Sequence, residues 1–187
     1  MIINCVCEGN VGARRAVPEK HRKSIRLEKF DYTQSGAYFV TVCSYEKFLF
    51  GEIKNRIMRL NDFGVIVYEE WNRTSENRKE IVLDQFIVMP NHVHGIIGII
   101  DDIVGTARRA PTSERFGHPV SGSLPTIIRS FKSAVTKRIN EIRETPGAPV
   151  WQRNYYEHIV RNEDDLNDVR QYVIYNPAMW AKDENNI

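Results

Sequence analysis

Hydrophobic positions along the chain switch between two periods, and the switches divide it into elements. Residues 37–45, AYFVTVCSY, alternate and are rich in aromatic and β-branched types, and FLFGEI follows after Glu46 and Lys47. This predicts a strand leading into a second strand or hairpin. The period then lengthens: Phe63, Val67, Tyr68 and Trp71 recur at three- and four-residue intervals, with Asn61 or Asp62 available as an N-cap, so a helix is expected. Residues 81–100 hold two apolar runs separated by Pro90 and Asn91. Proline cannot donate to a ladder, which predicts two strands or one strongly kinked pair. From 101 to 123 bulky apolar residues are scarce and Gly, Pro, Arg and Ser are common, the composition of a surface loop. An apolar stripe of Ile127, Ile128, Phe131, Val135, Ile139 and Ile142 marks a helix over 124–143, opposite Arg129, Lys132, Lys137 and Arg138. After TPGAP, VWQRNYYEHIV suits a last strand and EDDLNDVRQYVIYN a last helix with acidic residues in its first turn.

The order strands, helix, strands, helix, strand, helix predicts an α+β fold, a ferredoxin-like sandwich with an antiparallel sheet and helices mainly on one face. The chain of 187 residues suits one domain, expected over 28–182, with a basic N-terminal tail over 1–27 and a short C-terminal tail over 183–187. Apolar residues at 42% and charged residues at 27% are ordinary for a globular protein and exclude a disordered chain. The apolar runs fall far short of the roughly 20 residues a membrane helix needs. The first residues lack the basic-then-apolar order of a secretory signal, so a cytoplasmic protein is expected. Cys5, Cys7 and Cys43 form no CxxC pair and suggest neither a disulfide framework nor a cysteine zinc site. VGARRAVP at 11–18 and VGTARRAP at 104–111 are alike but too short and too polar to be a structural repeat.

Within FIVMPNHVHGII, His92 and His94 stand two apart on an expected strand, so both imidazoles face one side while Val93 faces the other. Two imidazoles among Phe86, Ile87, Val88, Ile96 and Ile97 carry a desolvation cost unless their nitrogens find partners. A metal ion and the groups around it would supply those partners. The alternative is one hydrogen-bonded core histidine and one exposed histidine.

This run, the helix segment IIRSFKSAVTKRIN, and WQRNYYEHIVRNEDDLNDVRQYVIYNP ahead of Trp180 together resemble the IS200-like single-tyrosine transposases, more closely the REP-associated tyrosine transposase branch. The resemblance covers about 28–182. It implies an HUH nuclease fold with His92 and His94 as ligands of a divalent metal, Mg or Mn, and a tyrosine nucleophile on the last helix. The family pattern of Tyr, three residues, Asn-Pro selects Tyr172 in YVIYNP and implies Asn176 as a third, oxygen ligand. Positions i and i+4 share a helix face, so these two side chains can address one site, whereas Tyr175 points elsewhere. Pro177 biases Asn176 away from helical geometry, and a frayed last turn is expected there. Without the resemblance, Tyr172 reads as a core tyrosine and Asn176 as a helix cap. Tyr155 and Tyr156 are expected to pack or to stack on bases.

The resemblance further implies metal-dependent cleavage of single-stranded DNA at hairpins and strand transfer through a 5'-phosphotyrosine, by a monomer or a homodimer. Net charge is only +2, but basic residues cluster. Arg129, Lys132, Lys137 and Arg138, the N-terminal group Lys20, Arg22, Lys23 and Arg26, and Arg153 are candidates for holding the DNA backbone. VGTARRAPT can be encoded by codons with a self-complementary centre. The two Arg-rich segments are therefore either translated copies of a hairpin element or unrelated loops. Two other functions fit the elements: a non-catalytic nucleic-acid-binding module, which needs stacking aromatics on its sheet face, and a metal-dependent phosphodiesterase that uses water as nucleophile.

Overall fold

A computed structural model describes residues 30–100, 120–183, 185 and 186. Strand β1 (Gly36–Cys43) leads to β2 (Gly51–Lys54) and β3 (Ile57–Leu60), then helix α1 (Asp62–Glu76), β4 (Ile81–Val88), β5 (His92–Ile99), α2 (Leu124–Arg143), β6 (Tyr156–Ile159) and α3 (Glu163–Met179), followed by a 3-10 turn (Trp180–Lys182). Four strands form an antiparallel sheet in the order β4-β5-β1-β6, giving the expected α+β sandwich. The hairpin β2-β3 is a separate two-stranded ribbon. Its two turn residues, Asn55 and Arg56, are both left-handed, as the twist of a two-residue hairpin demands.

Each helix begins where a side chain can satisfy an orphan amide. Of the two candidate caps for α1, Asn61 is the one used: its Oδ1 accepts from the Gly64 amide while its Nδ2 donates to the Leu49 carbonyl. Ser123 caps α2 and Asn162 caps α3. The apolar stripes of α1 and α2 close on one face of the sheet, burying Trp71, Ile128, Phe131 and Val135 against Val40, Val42, Val93 and Ile97. Trp71 lies parallel to Phe86, ring centroids 4.4 Å apart, directly over Gly95. Any Cβ at 95 would run into the indole, so the strand carrying the histidines must have glycine there. The opposite face, with Phe39 and Ile96, is covered by α3 through Val173.

Two local expectations change. The last strand starts only at Tyr156; before it, Trp151 makes a single bridge to Ser44. The Lys132 ammonium takes the carbonyls of Gln152, Arg153 and Asn154, which removes these acceptors from any ladder. Helix α3 does not fray at Asn176: it runs to Met179 with Pro177 inside it, both residues buried. Packing of that turn outweighs the lost proline hydrogen bond, and the Trp180 amide closes on the Pro177 carbonyl.

Candidate active site

The alternation of β5 places Val93 in the α1/α2 core and turns His92 and His94 towards α3, where they are 0% and 1% exposed. Their Nε2 atoms are 2.9 Å apart. Behind them, the His94 Nδ1 hydrogen-bonds the Thr41 hydroxyl at 2.8 Å, and the His92 Nδ1 meets the Asn91 Oδ1 at 2.8 Å. The Asn91 amide is oriented by its Nδ2, which donates to the Asn185 carbonyl at 2.6 Å. An amide oxygen only accepts, so His92 carries its proton on Nδ1 and presents an Nε2 lone pair inward. Burial holds His92 down at about 4, against the opposing pull of Asp183, and burial followed by the neighbouring His92 holds His94 well below the ordinary imidazole value. Both rings are neutral at pH 7, the form that binds metal.

Helix α3 brings Tyr172 to this pair. Its hydroxyl lies 3.4 Å from the His94 Nε2, its ring 5.1 Å from the His94 ring and edge-on to Phe39. Tyr172 is 40% exposed and so borders both solvent and the histidines, while Tyr175 is 59% exposed. On the same side, Tyr156 turns its ring towards Phe39, and partial burial raises its hydroxyl above the ordinary value. Tyr155 packs against the α1/α2 core.

The donor set fits a divalent cation. Ligands at roughly 2.1 Å from an ion and at right angles to each other are separated by about 3.0 Å, close to the spacing of the two Nε2 atoms. Asn176 is buried at 4% exposure, and its Oδ1 has no hydrogen-bond partner, an expense that a cation would remove. Among the described residues, His92, His94 and Asp183 also form a group whose ligating atoms lie within 4.8 Å of one another. Asp183 carried no signal in the sequence: it follows the last helix, in a stretch without periodicity.

The basic candidates separate. Arg129, Lys132, Lys137 and Arg153 line a cleft of about 880 Å³ between α2 and the segment that follows it, on the other side of the sheet from the histidines. Arg129, Lys137 and Arg153 are exposed, whereas Lys132 is occupied by the three carbonyls. Arg138 is held by Glu69 and Glu70 at 2.6 and 2.8 Å. Lys20, Arg22, Lys23 and Arg26, and both Arg-rich segments, lie outside the described residues.

Comparison with known proteins gives these elements a context. No family model matches the chain. An uncharacterised Haemophilus influenzae protein is 39% identical over 168 residues, 88% of this chain and 92% of its own length. A second protein of that bacterium, inferred to be a REP-associated tyrosine transposase, is 26% identical over 150 residues, 79% of this chain and 73% of its own. The fold matches that of a REP-associated tyrosine transposase solved with a REP hairpin, with a TM-score of 0.53 over 87% of this chain and 79% of that one, at 18% identity. In sequence and in fold the chain is similar to REP-associated tyrosine transposases. No helix among its described residues is long and apolar enough to cross a membrane.

Proposed function

We propose that this protein is a transposase that cuts single-stranded DNA beside a hairpin and rejoins it elsewhere, with Tyr172 as nucleophile and His92, His94 and Asn176 holding a divalent cation, Mg or Mn. The observation that carries this reading is the 3.4 Å approach of the Tyr172 hydroxyl to the His94 Nε2, because it puts a nucleophile at the edge of a ligand pair within one chain. A divalent ion bound there supplies positive charge to a non-bridging phosphate oxygen as negative charge builds in the transition state.

The chain's own groups do the rest. Thr41 and Asn91 fix the two rings from behind. Phe39 fixes the face of the Tyr172 ring, and helix α3 presents its hydroxyl for in-line attack. The Oη–P bond forms as the bond from phosphorus to the 3' oxygen breaks. The phenol proton is lost, and the leaving 3' oxygen gains one. The phosphate stays on Tyr172 as a 5'-phosphotyrosine, so a 3'-hydroxyl can later attack it and reform a phosphodiester without ATP. The relative solved with a REP hairpin supports hairpins as the substrate class. Arg129 and Arg153, both exposed, can meet phosphate by charge, and Lys137 can do so beside its ion pair with Glu141.

The histidines argue against the non-catalytic module, since side chains at 0% and 1% exposure offer no face for a base to stack on. The decisive experiment incubates the protein with single-stranded hairpin oligonucleotides and Mn, followed by denaturing electrophoresis and peptide mapping. A covalent adduct on the peptide containing Tyr172 is expected. Cleavage without an adduct, retained in Tyr172→Phe, would instead show water as the nucleophile.

A further inference from the structure

The chemistry proposed for Tyr172, His92, His94 and Asn176 leaves one nearby carboxylate without a role. Resting on that assignment of the site, we propose that Asp183 is a further ligand of the cation, an anionic oxygen delivered by the chain after α3. The donor set is then two imidazoles, the Asn176 amide and one carboxylate.

Asp183 reaches the site by a defined path. Beyond α3, Trp180 lies against His92, ring centroids 6.0 Å apart, and the 3-10 turn reverses the chain there, with the Asp183 amide donating to the Trp180 carbonyl at 3.0 Å. The Asn185 amide and Nδ2 both donate to Asp183 Oδ1, at 2.7 and 3.1 Å. Asn185, 4% exposed, in turn takes the Asn91 Nδ2 on its carbonyl, and Asn91 Oδ1 takes the His92 Nδ1–H. A relay therefore runs from His92 through Asn91 and Asn185 to Asp183: Asn185, which positions Asn91 behind the His92 ring, also anchors the carboxylate. Both side-chain hydrogen bonds fall on Oδ1, which leaves Oδ2 uncommitted by them. A ligating oxygen of this carboxylate lies within 4.8 Å of one ring nitrogen of each histidine.

Charge supplies the reason. Two neutral imidazoles and an amide bring no negative charge to a doubly charged ion, and imidazole-rich sets suit Zn, Ni or Cu better than Mg or Mn. One carboxylate adds a hard, anionic oxygen and shifts the balance towards Mg and Mn.

The test uses the full chain, stripped with EDTA and free of DNA. Mn²⁺ affinity is measured by calorimetry, and Mn²⁺ electron-nuclear double resonance is recorded on protein carrying ¹³C-carboxyl aspartate. Asp183→Asn is expected to weaken Mn²⁺ binding about tenfold or more and to abolish a ¹³C coupling present in the unsubstituted protein. Equal Mn²⁺ affinity in Asp183→Asn, or no ¹³C coupling in the unsubstituted protein, overturns the proposal; the second measurement stands even if Asp183→Asn folds poorly. A protein that binds Mn²⁺ no better than His92→Ala would bring down the assignment of the metal site itself, a separate result.

Discussion

The guanidinium of Arg170 grips the carboxylate of Asp84 through Nε and Nη2, the shorter contact being 2.6 Å. Asp84 sits where β4 departs from regular register between Leu83 and Phe86, and Arg170 stands two residues before Tyr172 on α3. The pair therefore fixes the rotation of the helix that carries Tyr172. Arg170→Ala is expected to slow adduct formation on the order of tenfold, since small displacements of reacting groups cost rate. Single-turnover kinetics on a hairpin oligonucleotide check this. The exchanged pair Asp84→Arg with Arg170→Asp should recover part of the rate, and a rate unchanged in Arg170→Ala would remove the pair from the mechanism.

Because Tyr172 and His94 of one chain already meet, no helix from a second subunit is needed to bring them together. Tyr172→Phe and His94→Ala should each abolish the covalent adduct. Their mixture should stay inactive, as neither chain owns a complete site. Recovery of activity on mixing, read on the same denaturing gel, would indicate helices exchanged between subunits.

Most of the architecture could be read from the sequence because the apolar period changes cleanly from two to three or four, as at Tyr38–Cys43 against Phe63–Trp71. The pairing of His92 with His94 on one face followed from strand geometry alone. Their link to Tyr172 did not, because it joins residues 78 apart and only the family pattern pointed to it. Asp183 was invisible for a different reason: it is placed by Trp180 and Asn185, through contacts that leave no periodic trace. Charge counting could not reveal that Lys132 and Arg138 also serve carbonyls and carboxylates within the fold.

Acid should destabilise the protein in EDTA earlier than carboxylate titration alone would. Burial lowers His92 from 6.5 to about 4 and moves His94 in the same direction. Between these values the unfolded chain binds protons that the folded chain refuses, so stability is full above about pH 6.5 and falls as pH drops towards 4. Each such proton contributes a slope of up to about 1.4 kcal/mol per pH unit. Below that window Asp84, whose carboxyl is lowered chiefly by its hydrogen bond to Arg170, adds a further loss. Urea unfolding from pH 4 to 7 should show the slope, and His92→Gln should flatten it; equal slopes in the two proteins would mean that His92 is not the group being titrated.

The packing on the far side of the sheet should also be felt at the site. Gly95 follows His94 directly, and its missing side chain is what lets the Trp71 indole lie against β5. A methyl group there cannot be absorbed by a flexible chain end, since the obstacle is a fused ring already stacked on Phe86 and met edge-on by Phe131. Gly95→Ala is expected to cost about 1–3 kcal/mol by overpacking and to displace His94 along with the strand, so Mn²⁺ affinity should fall with stability. Shrinking the obstacle tests the cause: Trp71→Leu combined with Gly95→Ala should be more stable in urea than the sum of the two single losses predicts. Strict additivity would place the strain somewhere other than between Trp71 and the strand that carries the histidines.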